Sequence, residues 1–381
     1  MEGIVKIMKE KKNVFPIQTI VIIILIFVFS FLCWKQFFQN IDSMIFLAHE
    51  DETLTKLEIF DEYIDTADSA WYDRIYEKKN LNALHSMYVY YTLKESPSEQ
   101  VVVGKEDWLF YVEKGERDSI ADYEGTDRYT VEKMNEFLYV TLENQKRLEE
   151  KGIQTAILVA PNKENVYAEY MPDRYTHNPV SNTDIVVEYL QNQGVSIVSP
   201  KEDMLDMRSE QQLYYTYDSH WNQLGAYVGV NRILSLWDIP MEHLLERNIA
   251  SYELKDNYHE GAWNDLANMG GLNYLFDDEV EYEVEGTIQI DWTQYAAEQY
   301  GKQVSHYVNE NAKLSQKLFL VGDSFRTAMI PALNEVFGEV FVIHRSDYNP
   351  KMLEMVNPDY VIVEYVERYA SQMRDFNLVL Y

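Results

Sequence analysis

Five short, almost unbroken apolar runs limit what this chain can become. They are "IQTAILVAP" (153–161), "VSIVSP" (195–200), "KLFLVG" (317–322), "EVFVIH" (339–344) and "PDYVIVEYV" (358–366). A strand with no polar face must lie in a sheet covered on both sides. Helical periodicities separate the runs. Val131, Met134, Phe137, Leu138, Leu142 and Leu148 recur behind Thr130 as N-cap. "DIVVEYLQNQG" closes at Gly194, and "NQLGAYVGVNRILSLW" and "FRTAMIPALNEVFG" follow. Strand alternating with helix predicts an α/β fold, a parallel sheet flanked by helices. The 381 residues suffice for one large or two ordinary domains.

The N-terminus has a different character. Lys6, Lys9, Lys11 and Lys12 precede the apolar run Ile17–Trp34, with Phe15, Phe37 and Phe38 on its flanks. A bilayer core is crossed by roughly 20 apolar residues, and lysines on one side place that side in the cytoplasm. Bulky residues follow the run where a signal peptidase needs small ones, so an uncleaved anchor is expected. The expected organisation is a cytoplasmic basic tail (1–15), a transmembrane anchor (16–38), a helical stalk or lead-in (39–98) and an extracellular α/β domain (99–381). Within that domain, the acidic stretch at about 273–312 reads as an insertion, a small hairpin lid. Cys33, the sole cysteine, lies inside the anchor, so the exported part has no disulfide, thiol nucleophile or thiolate metal site. A net charge of −30 argues against nucleic acid, and against a polyanionic substrate unless the cleft is locally basic.

Two segments carry candidate chemistry. In "KLFLVGDSFRTAMIPAL" a strand runs through Gly322-Asp323-Ser324 into a helix, which puts Ser324 at the carboxyl end of the sheet, where ligands bind. In "YTYDSHWNQLGAY", Asp218 and His220 are close enough for a turn to bring the carboxylate to Nδ1, leaving Nε2 for a hydroxyl. Trp221 walls the imidazole or anchors the loop in the core, and Asn222 caps the next helix. On the residues alone, the blander reading stands: Ser324 or Asp323 is only a cap, and Asp218–His220 a polar turn. A metal site of Asp218, His220 and Asp323 lacks further ligands at customary spacing, so no metal and no cofactor is expected.

Read in order, these pieces resemble the SGNH/GDSL hydrolase superfamily, in the circularly permuted branch of the alginate O-acetylation proteins and the DHHW proteins. "VVVGKEDWLFYVEKG" is similar to the branch's "GKDGWLFY" signature, and "ILVAPNKENVYAEYMP" to its strand followed by Pro-x-Lys. "YDSHWNQLGAY" resembles the D-x-H-W block, "WNDLANMGGL" the "GDLA" segment, "LFLVGDSF" the nucleophile strand and "NPDYVIVEYVERY" the last core strand. The resemblance covers roughly residues 99–370. Ser219 stands in place of a His, and Asn264 in place of a Gly.

The resemblance implies Ser324 as nucleophile, His220 as general base and Asp218 as its orienting carboxylate. Arg345, Asn162, Lys163 and Trp221 are the candidates for oxyanion or substrate binding. It further implies acetyl transfer to a polysaccharide or cell-wall glycan outside the cell, with a membrane-bound O-acyltransferase (MBOAT) as partner. The alternatives are a carbohydrate acetyl esterase of the same fold and a non-catalytic polysaccharide-binding or scaffold protein.

Overall fold

The computed structural model describes Phe27 and residues 78–114, 118–253, 264–273, 275–276, 279–287 and 304–379. The basic tail, the anchor apart from Phe27, and most of the lead-in lie outside these residues. Among the described residues, no helix is long and apolar enough to cross a membrane. The chain divides into two compact units, Met1–His85 and Ser86–Tyr381, and everything below belongs to the second.

That unit opens on a small antiparallel pair, β1 (Val101–Val103) and β2 (Leu109–Tyr111). The main sheet comprises β3 (Gln154–Ala160), β4 (Ile197–Val198), β7 (Ser305–Val308), β8 (Leu314–Gly322), β9 (Phe337–His344) and β10 (Tyr360–Val366). Their order is β4-β3-β10-β8-β9-β7. Every pairing is parallel except that of β7, an antiparallel edge strand on β9.

The apolar runs are buried on both faces, and their side chains divide with the period of two expected of a strand. Ala156, Leu158, Leu318, Leu320, Val340, Val342 and Ile362 enter one core. Ile157, Val159, Phe319, Val321, Phe341, Ile343, Val361 and Val363 enter the other. Helices α1 (Val131–Glu149) and α2 (Asn182–Asn192) cover the second face with Phe137, Leu148, Val186 and Leu190. Helices α3 (Gln223–Leu236) and α4 (Ile330–Val336) cover the first with Leu224, Ile233, Leu234, Leu333 and Val336.

The sheet order fixes where chemistry can occur. The last strand, β10, inserts between β3 and β8, with Val366 opposite Ala160 and Val363 opposite Val321. Three carboxyl ends therefore emerge side by side: Asn162–Lys163 after β3, Asp323–Ser324 after β8, and Glu367–Arg368 after β10.

Two expectations are corrected. "FRTAMIPALNEVFG" is not one helix: Ser324–Met329 is a 3-10 turn, and the α-helix begins at Ile330 with Pro331 in its first turn. Proline lacks an N–H and suits only a helix start, so it sets the boundary there. The stretch 273–312 does not pair with itself among the described residues. Its β6 (Val280–Val284) pairs antiparallel with β5 (Ile249–Glu253), while β7 extends the main sheet. Val284 and Tyr307 are buried, and this apolar content commits both strands to the body of the domain.

Candidate active site

The loop before α3 is set by short polar links. Asn222 caps the helix, accepting from the N–H groups of Leu224 (3.0 Å) and Gly225 (3.1 Å). Asp218, 2 % exposed, accepts through Oδ1 from the backbone N–H of His220 at 2.8 Å. An aspartate bonding the backbone two residues on is a turn former. The same oxygen lies 2.6 Å from His220 Nδ1, so the turn that bends the chain also delivers the carboxylate to the imidazole. The other oxygen accepts from Asp265 N–H at 2.9 Å.

Lys163 holds this loop from beneath. Its buried ammonium donates to the carbonyls of Leu109 (2.6 Å), Thr216 (2.8 Å) and Asp218 (3.0 Å). It also lies 4.9 Å from the Trp108 ring and 5.3 Å from the Phe110 ring. Burial pulls its pKa down to about 8, against the pull of Glu279 and Asp218.

The serine turn is stitched to β10 by carboxyl groups. Asp323 accepts from Phe325 N–H (3.1 Å) with one oxygen and from Val366 N–H (2.8 Å) with the other. Its own N–H donates to Glu364 Oε2 at 3.0 Å. Glu364 is fully buried, and desolvation with the nearby Asp323 charge pushes its pKa well above the usual carboxyl range, favouring the neutral acid. Only glycine fits at 322, because a Cβ there would stand 2.5 Å from Glu364 Oε2. Ser324 itself is exposed.

The two segments meet across 104 residues of sequence. His220 Nε2 lies 2.6 Å from Ser324 Oγ. With the Nδ1 proton facing Asp218, Nε2 is left to accept from the serine hydroxyl, a tautomer inferred from the network. The Trp221 indole N–H donates to the Phe325 carbonyl at 2.9 Å, and the His220 and Phe325 rings lie 4.8 Å apart. Trp221 is fully buried. It packs on the bare face of Gly229, where a Cβ would come within 3.1 Å of the indole.

Burial works against a charged imidazole, but the Asp218 carboxylate outweighs it and the His220 pKa is raised. Burial also works against Asp218, yet its bonds to His220 hold it well below the usual carboxylate range. The arrangement is a hydroxyl, an imidazole and an ionised carboxylate in one hydrogen-bonded line, able to move a proton from Ser324 to His220.

The remaining sequence candidates fall elsewhere in the structure. All three donors of Lys163 are spent on carbonyls, so it positions the loop and has none left for a substrate. Arg345 is buried behind the serine turn. It donates to the Glu364 carbonyl (2.9 Å) and Gln372 Oε1 (2.8 Å), with Asp323 Oδ2 at 3.6 Å. The Asn162 backbone N–H donates to Glu367 Oε2 at 2.7 Å, and its side-chain oxygen accepts from Arg368 at 3.4 Å. Trp221 ties the histidine loop to the serine turn from within the core.

Asp265 was not singled out by sequence reasoning, although it stands in the "WNDLA" block. It accepts from Ser219 N–H (2.7 Å) and Ser219 Oγ–H (2.5 Å), and one of its oxygens is 3.6 Å from His220 Nδ1. Asp218, His220 and Asp265 place ligand atoms within 4.8 Å of one another. The hydrogen bonds just described occupy those atoms, and a cation would have to break them. Asp323, the third ligand considered from sequence, is spent on the serine turn.

A family model described as the SGNH hydrolase-like domain of the acetyltransferase AlgX matches residues 101–328, a span that includes Asp218, His220 and Ser324. No curated protein matches the chain. Among solved structures, PatB1 of Bacillus cereus, in a form with a sulfonyl adduct, is 13% identical with a TM-score of 0.50, covering 73% of this chain and 97% of that one. A DHHW family protein from Eubacterium siraeum is 16% identical with a TM-score of 0.46, covering 74% and 99%. The O-acetyltransferase domain of Pseudomonas putida AlgJ is 17% identical with a TM-score of 0.42, covering 73% and 93%.

Proposed function

Because the chain belongs to the AlgX family of SGNH hydrolase-like acetyltransferase domains, we propose that it moves acetyl groups onto hydroxyls of a polysaccharide or cell-wall glycan through an acyl-Ser324 intermediate. The observation that carries this reading is the line from exposed Ser324 through His220 to buried Asp218, with 2.6 Å at each link. A serine hydroxyl becomes a competent nucleophile when an oriented imidazole takes its proton.

In the first half-reaction Ser324 Oγ bonds to the acetyl carbonyl carbon while its proton passes to His220 Nε2. The bond to the donor oxygen then breaks, and that oxygen leaves with the proton. In the second half, His220 takes a proton from a sugar hydroxyl, whose oxygen bonds to the acyl carbon, and Ser324 recovers its proton. Asp218 keeps the imidazole in the required tautomer and steadies its charge. The expected anchor at 16–38 would hold the domain at the outer membrane surface, where a membrane-bound O-acyltransferase could supply acyl groups. Water in place of the sugar makes the same site an acetyl esterase.

The test is turnover of 4-nitrophenyl acetate by the full chain beside Ser324→Ala and His220→Ala, then with oligosaccharide acceptors added. Loss of turnover in both folded variants, with acetylated oligosaccharide from the parent, supports transfer. Equal rates in all three proteins would remove Ser324 from the chemistry and bring the scaffold reading forward.

A further inference from the structure

Arg368 leaves β10 at the same sheet end as Ser324 and lodges its guanidinium among three aromatic rings. The centroids lie at 5.1 Å (Tyr111), 5.2 Å (Phe325) and 5.5 Å (Tyr369). Phe325 directly follows Ser324, and the same ring packs against His220. Arg368 Nη1 donates to Asn162 Oδ1 at 3.4 Å, a long bond, and Nε is buried without a partner. Among the described residues no carboxylate forms an ion pair with this side chain, although its charge reaches the buried Glu164 carboxyl.

In a chain of net charge −30, Arg208, Arg247 and Arg345 each meet a carboxylate, whereas Arg128, Arg326 and Arg368 each keep a buried guanidinium nitrogen without a partner. Of these three, Arg368 is the one whose guanidinium packs against the ring that follows Ser324. Arg368 is half-buried; partly withdrawing a cation from water without an ion-pair partner is unfavourable, and ring faces offset only part of the cost. The balance is restored when negative charge arrives beside it. Of the other guanidiniums near the turn, Arg345 is committed to Glu364 and Gln372, and Arg326 is folded back onto the Asp323 carbonyl at 2.5 Å. The Ser324 N–H has no acceptor among the described residues.

Building on Ser324 as the nucleophile, we propose that Arg368 and the Ser324 N–H together donate to the oxyanion formed on the acyl carbonyl. As the Oγ–C bond forms, the carbonyl π pair moves onto oxygen and the serine proton goes to His220. The new negative charge then lies between a fixed cation and a fixed amide dipole, both in place before the reaction begins. The three rings hold the guanidinium in place, and Asn162 limits rotation of its plane. When the tetrahedral species collapses, the pair returns to the carbonyl and the donor oxygen leaves with the proton.

The test uses the full chain as parent, Ser324→Ala, Arg368→Met and Arg368→Lys, with 4-nitrophenyl acetate turnover and methylboronic acid binding as readouts. A nucleophilic serine adds to boron, its proton passes to His220, and the adduct is a tetrahedral anion that mimics the intermediate. For Arg368→Met, kcat is expected to fall by about 10²–10³-fold with KM nearly unchanged, as for loss of one oxyanion donor. Its boronate affinity is expected to fall at least about tenfold, because a transition-state mimic feels the same interactions. Arg368→Lys should recover part of both, since it keeps the charge but not the fork.

An Arg368→Met protein that loses only in KM, or binds boronate like the parent while Ser324→Ala does not, overturns the role of Arg368 and leaves the nucleophile standing. A Ser324→Ala protein that keeps turnover and boronate binding overturns both. If Arg368→Met unfolds, the Lys variant decides: parent-like kcat and boronate affinity would show that the fork contributes nothing.

Discussion

Trp221→Phe separates two ways in which a buried residue can matter. The indole N–H is the sole donor of that side chain, and it meets the Phe325 carbonyl at 2.9 Å inside the core. Phenylalanine keeps a ring but removes the donor and leaves the carbonyl unpaired, at a cost of about 1–3 kcal/mol. The smaller ring also opens space against Gly229, where the indole now sits, and residual cavity adds about 24 cal/mol per Å³. A total of about 2–4 kcal/mol corresponds to a Tm lowered by roughly 4–16 °C, at about 2–4 °C per kcal/mol for domains of a few hundred residues. The same bond fixes the histidine loop against the serine turn. A displacement of about 1 Å between Ser324 and His220 is enough for a loss on the order of 10²-fold in kcat. The assay is ester turnover beside calorimetric melting, with Trp237→Phe as control. Trp237 packs on Phe337 and Tyr360, the first residues of β9 and β10, at the opposite end of the sheet. Trp237→Phe should lower Tm and leave kcat alone. If both variants lose stability and both keep kcat, the indole is packing only and the positioning argument fails.

Two further outcomes follow from the same geometry. The role proposed for His220 requires a neutral imidazole, and burial and Arg368 are outweighed by Asp218 and Asp265 so that its pKa is raised above 6.5; kcat/KM for a neutral ester should then rise with pH through a midpoint above that value. A raised imidazole contributes stability that is complete below its unfolded pKa and lost as pH rises through the folded one. The parent should therefore lose stability relative to His220→Gln in the window where activity appears, and a midpoint below 6.5 would refute the assignment. Gly322→Ala drives a methyl to 2.5 Å from Glu364 Oε2, the acceptor of the Asp323 N–H. Overpacking of this kind costs about 1–3 kcal/mol; an unchanged Tm would show that the turn yields freely.

The architecture was legible because it rests on local pattern. Apolar runs without a polar face require covered strands, and both cores draw on the residues whose alternation announced them. The Asp218–His220 pairing was legible for the same reason, since a turn of two residues is local information. What could not be read was the role of groups that meet through the sheet. Arg345 and Lys163 occur at strand ends, where a substrate contact is a fair expectation, but the topology turns one behind the serine turn and the other beneath the histidine loop. Glu364 sits within an apolar strand; burial raises its pKa, and so does the charge of Asp323, which neighbours it only because β10 enters between β3 and β8. Arg368 shows the limit most clearly. In sequence it is one arginine in "VERY" at the end of a strand, with nothing to mark it. Its lack of a carboxylate partner becomes meaningful only when the strand order sets it against the Phe325 ring that also carries His220. Chemistry carried by one loop was written locally, whereas chemistry shared between strand ends required the order of the strands.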